Sequence, residues 1–122
     1  MSHEKFATCI KACEECANAC EHCATACLNE KEVANMARCI EIGRYCADLC
    51  RMSAAFMARS SEATEHYARE FCALCSYVCE DCATECEKHS AMAHCKACAK
   101  ACRDCAEACK EMAMTSITHE ES

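Results

Sequence analysis

Cys9, Cys13, Cys16, Cys20, Cys23 and Cys27 advance by 4, 3, 4, 3 and 4 residues. Cys72, Cys75, Cys79, Cys82 and Cys86 advance by 3, 4, 3 and 4, and Cys95, Cys98, Cys102, Cys105 and Cys109 repeat that rhythm. Cys39, Cys46 and Cys50 form a sparser middle run, for a total of 19 cysteines in 122 residues. Steps alternating between three and four keep one stripe of a helix turned toward other helices, a stripe that Leu or Ile ordinarily fills. Thiols in that stripe are soft ligands on a regular scaffold, suited to holding a soft metal ion.

The spacing also bears on which metal. Residues at i and i+4 of a helix have Cβ atoms about 5–6 Å apart. Two thiolates on one ion, with bonds of roughly 2.3 Å, stand at most about 4.6 Å apart. Each Cys-x-x-x-Cys pair, from Cys9/Cys13 to Cys105/Cys109, is therefore a candidate two-coordinate clamp. Two- and three-coordinate thiolate sites suit Cu(I), whereas Zn(II) prefers four ligands in a tetrahedron. Charge points the same way, because buried thiolates must be neutralised. One Cu(I) per thiolate achieves this, up to about one ion for each of the 19 cysteines. Zn(II) would need half as many ions. Without metal, protonated thiols pack as small apolar groups, so a bundle can fold empty and release protons as it fills.

Zinc storage and a thiol redox buffer are the alternatives. Redox catalysis calls for one or two exposed, activated thiols rather than a filled stripe. Iron–sulfur clusters usually draw their ligands from irregular loops. No Ser/His/Asp or paired-carboxylate constellation stands out, and the expectation is a non-enzyme. An odd number of cysteines cannot pair completely, and neighbours along one helix are poorly oriented for a disulfide.

The elements that must position these thiols are helices. Pro is absent and Gly43 is the single glycine, while Ala, Glu, Lys and Met favour helix. The pattern predicts an all-α, up-down-up-down four-helix bundle in one domain, residues 1–122, with helices over 3–28, 31–58, 62–89 and 91–114. Asn29 is an expected left-handed helix end, Ser61 and Ser90 are expected N-caps, and 115–122 reads as a loose polar tail. One bundle end gathers Phe6, Ile10, Phe56, Met57 and Phe71 as an apolar plug. The other gathers Met36, His89, Met92 and His94 beside Cys27, Cys86 and Cys95, as candidate ligands for metal access. His3, His22, His66 and His119 read as solvated. Beside the helix 2 seam runs an apolar stripe of Ile42, Tyr45, Leu49, Met52 and Phe56, which faces either a second protomer or the matching stripe of helix 3, Tyr67, Phe71, Leu74 and Val78.

A net charge of −7 argues against nucleic acid, whose binding needs clustered Lys and Arg. No run of 18 apolar residues is present to span a membrane. No basic segment followed by an apolar run precedes the first helical pattern, so the cytoplasm is the expected address.

The repeated Cys-x-x-x-Cys and Cys-x-x-Cys motifs through four Ala-rich helices, over residues 9 to 112, resemble the copper storage proteins, specifically their cytosolic branch. That resemblance implies a homotetramer of four-helix bundles, each filling its core with Cu(I) in copper homeostasis. It also implies that His and Met near one open end serve metal access. A copper chaperone is a candidate partner.

Overall fold

Good helix formers punctuated by a buried stripe produce four α-helices in the computed structural model, which describes residues 6–121, with side chains described over 6–114. They are α1 (Ala7–Leu28), α2 (Ala37–Ala58), α3 (Glu65–Glu87) and α4 (Ala93–Glu121), and a 3₁₀ turn, Val33–Met36, leads into α2. No strand occurs among the described residues. Each helix packs against its two neighbours in the cyclic order α1, α2, α3, α4.

Neighbours run antiparallel. Cys9 meets Cys109 and Cys23 meets Cys95 across α1 and α4. Cys39 meets Cys86 and Cys50 meets Cys75 across α2 and α3. Short links between successive helices enforce this topology. Buried alanines flank the cysteine stripes, among them Ala17, Ala47, Ala83 and Ala106. Their small side chains let the backbones approach until sulfurs from all four helices meet on the axis. Gly43 needs no special backbone conformation, and a Cβ there would make only ordinary contact, 3.7 Å from the Cys20 carbonyl oxygen. No helix of the described residues is long and apolar enough to cross a membrane.

Several helix ends differ from the sequence expectation. Asn29 ends α1 with φ −97°, so no left-handed residue is needed, and its amide bonds the Thr25 carbonyl. Thr64, not Ser61, is the N-cap residue of α3. Its hydroxyl accepts the Ser61 backbone N–H at 2.9 Å, which makes Ser61 the start of the preceding turn. Ser90 lies in the turn before α4, three residues short of Ala93, and does not cap it. Backbone helix continues to Glu121, past the expected end at Met114. The expected start at His3 lies outside the described residues.

Candidate metal centre

All 19 cysteines are free and buried. Their sulfurs form a continuous column. Neighbouring helices contribute contacts such as Cys46–Cys79 at 3.5 Å, Cys16–Cys102 at 3.7 Å and Cys20–Cys98 at 3.7 Å. Diagonal helices also touch through sulfur, at 4.0 Å for Cys16–Cys79 and 3.8 Å for Cys50–Cys105. With metal–sulfur bonds of roughly 2.3 Å, sulfurs at such separations subtend about 100–120° at a shared ion. That is the range of three- and four-coordinate sites, reached without moving a helix.

Sets of four ligands lie mutually within 4.8 Å: Cys13/Cys75/Cys105/Cys109, Cys16/Cys50/Cys79/Cys105, Cys16/Cys20/Cys46/Cys102 and Cys20/Cys82/Cys98/Cys102. Cys105 belongs to the first two of these, Cys16 to the second and third, and Cys20 and Cys102 to the third and fourth. A sulfur shared between sites bridges two ions, so the column suits multinuclear thiolate binding rather than isolated ions.

At the end where α1 and α3 finish and α2 and α4 begin, one set includes nitrogen: Cys23, Cys27, Cys95 and His94. His94 Nδ1 lies 3.6, 3.9 and 3.5 Å from the three sulfurs. Its other nitrogen, Nε2, lies 2.9 Å from a Glu30 carboxylate oxygen. A carboxylate on Nε2–H fixes the ring and leaves the Nδ1 lone pair aimed at the thiols. Burial, reinforced by repulsion from Cys27 and Cys39, pushes the Cys95 thiol up to about 12. Burial and the proximity of Cys39 also push Cys27 up. Both are therefore neutral thiols at physiological pH and shed a proton when a metal binds.

The other expected access residues differ in their surroundings. Met36 is fully buried and Met92 half-buried against the core. His89 Nε2 lies 3.5 Å from the buried Glu85 carboxylate but has no hydrogen-bond partner among the described residues. Of the four, His94 is the one brought into the thiol cluster by its ring nitrogen. His22 and His66 are exposed, while the side chains of His3 and His119 lie outside the described residues.

The opposite end is closed. Phe6 and Met57 are fully buried, and the half-buried Phe56 and Phe71 rings pair at 4.7 Å. A buried cation, Arg69, completes the closure. Its guanidinium stacks 5.2 Å over the Phe6 ring, donates to the Met112 carbonyl at 2.9 Å and pairs with Glu65.

Glu30, Glu85 and Arg69 were not among the residues singled out from sequence. Each reads there as one charge on a solvated helix face or loop, and for Glu30 and Arg69 the decisive partner lies on another element.

The profile of the copper storage protein family matches residues 2–114. A cytosolic copper storage protein from Streptomyces lividans, in a structure holding five coppers, is 40% identical with a TM-score of 0.87, over 93% of this chain and 95% of that one. The Cu(I)-bound copper storage protein BsCsp3 is 45% identical with a TM-score of 0.80, over 88% of this chain and 97% of that one. The uncharacterized cysteine-rich protein YhjQ of Bacillus subtilis is 47% identical over 78 residues, 64% of this chain and 68% of that protein. A thiol column on four antiparallel helices and a family match over nearly its whole length lead to one conclusion: this chain belongs to the copper storage protein family.

Proposed function

We propose that this chain sequesters many Cu(I) ions in the cytoplasm, on thiolates of a bundle that is already folded when copper arrives. The observation that carries the reading is the uninterrupted sulfur column, in which neighbouring four-ligand sets share Cys16, Cys20, Cys102 and Cys105. All 19 cysteines, from Cys9 to Cys109, are ligands in this account. Each gives up its proton as Cu(I) binds, and the core stays neutral at about one ion per thiolate. His94, with Cys23, Cys27 and Cys95, takes copper at the open end, and Met36, His89 and Met92 line the approach. Imidazole and thioether hold Cu(I) less tightly than thiolate and suit capture and handover. Burial of every thiol favours a store over a catalyst. Neither zinc storage nor a redox buffer is favoured, since the related structures described above hold copper.

Exposed Tyr45, Met52, Tyr67, Leu74 and Tyr77 on the outer faces of α2 and α3 support assembly with further copies, the tetramer that family resemblance implies. Sedimentation of Leu49→Glu tests this: a folded species of smaller size is expected, and an unchanged size argues against an interface there.

Anaerobic titration of the reduced protein with Cu(I), against a chelator of known affinity, tests the storage reading. Tight uptake approaching one ion per thiol, on the order of 19, is expected. Saturation at a single ion would overturn it.

A further inference from the structure

The thiols of α1, α3 and α4 reach the closed end at Cys9, Cys72 and Cys109, but α2 supplies none beyond Cys50. Its seam continues through Ser53 to Met57. At that level the other helices bring Cys9, Cys72 and Cys109. Cys9 and Cys109 stand 3.6 Å apart, and both are sulfur neighbours of Cys72. The fourth sulfur at this level is the Met57 thioether, and the Cys72 thiol donates to its Sδ at 3.6 Å. We propose that Met57 is itself a metal ligand, completing with Cys72 a thioether–thiolate Cu(I) site that terminates the column at its closed end.

The geometry suits the role. Two sulfurs 3.6 Å apart, each roughly 2.3 Å from one ion, subtend about 100° at it. Met57 is fully buried, so its sulfur is committed to the interior and does not face water. Charge suits it too. A neutral thioether, one thiolate and one Cu(I) sum to zero, and Arg69, the one buried cation among the described residues, is already paired with Glu65. In the loading step Cys72 releases its proton, the freed thiolate and the Met57 lone pair bind the ion, and copper keeps its oxidation state. A thioether carries no proton, so α2 contributes a sulfur at this level without a further proton to expel through a sealed end. This inference rests on the copper-storage reading.

The test uses selenomethionine-labelled protein, fully reduced and loaded with Cu(I) without oxygen, examined by X-ray absorption at the selenium edge. The unsubstituted chain, Met57→Leu, and the double variant Met36→Leu/Met92→Leu are compared, with thiolate-to-copper absorbance reporting uptake in each. A copper neighbour at bonding distance from selenium is expected in the unsubstituted chain. It should survive in the double variant and be lost in Met57→Leu, with uptake by the thiolates nearly unchanged. Full uptake with no selenium–copper signal in the double variant, or with a signal that Met57→Leu leaves intact, overturns the proposal while leaving storage standing. Should Met57→Leu fail to fold, the triple variant Met36→Leu/Met92→Leu/Met112→Leu decides instead: a persisting selenium–copper signal supports the site and its loss overturns it. Absence of uptake in the unsubstituted chain would overturn the storage reading and this one together.

Discussion

The two ends of the sulfur column are finished in opposite ways. At the open end, the last thiols meet an imidazole whose far nitrogen is held by Glu30, beside a buried carboxylate, Glu85, and its neighbour His89. At the closed end, the last thiols meet a thioether and a phenylalanine, locked beneath a guanidinium held by the Met112 carbonyl, Glu65 and the Phe6 ring. Imidazoles and carboxylates gather at one end, beside the last thiols. Apolar side chains and a buried guanidinium gather at the other. One column of nearly uniform chemistry thereby acquires a direction.

The largest expected effect breaks the closed end. Arg69→Ala removes a buried, paired charge that joins α3 to α4 and to Phe6, and the reduced, metal-free protein should lose about 3 kcal/mol of stability. Urea unfolding measures this, and an unchanged midpoint would show that Arg69 is no latch. Less drastic is loosening the open end. Glu30→Ala frees the His94 ring and should weaken copper binding at the Cys23/Cys27/Cys95/His94 set about 10–100-fold, read by chelator competition. His94→Ala should lose at least as much. Equal affinity in Glu30→Ala and the unsubstituted chain, with a loss in His94→Ala, would show that the carboxylate does not position the ring.

The smallest effect at neutral pH appears only on titration. An unfolded cysteine ionises near 9.0, whereas Cys95 in the bundle is held protonated to about 12. Above pH 9 the unfolded chain therefore binds fewer protons than the folded one, and stability falls as pH rises through that window. The contribution of Cys95 should be fully present below pH 9, and the metal-free protein should weaken gradually from there toward pH 12 in thermal melts. Copper-loaded protein, its thiolates already formed, should resist that decline. Identical alkaline profiles with and without copper would contradict thiolate ligation.

The bundle, its antiparallel order and its sulfur-lined axis were legible because a 3–4 rhythm has one structural meaning and Pro and Gly are nearly absent. His94 was legible too, lying one residue before Cys95 at a helix start. Glu30 and Arg69 were not, since what matters about each is a partner far away in sequence, His94 in one case and Phe6 with Met112 in the other. Helix ends were read least well. Ser61 and Ser90 have the right chemistry for N-caps, but the turns that carry them run several residues longer than local propensity suggests. Met57 shows a related limit: spacing puts it on the seam, yet only the structure reveals its sulfur against Cys72.

The central claim is that copper fills a bundle already built. Far-UV circular dichroism of the reduced, metal-free protein, followed through anaerobic addition of Cu(I), tests it most directly. Protonated Cys packs as a small hydrophobe among strong helix formers, so full helical content is expected before any copper is added and should stay constant to saturation. A coil spectrum that becomes helical only as copper binds would contradict the account.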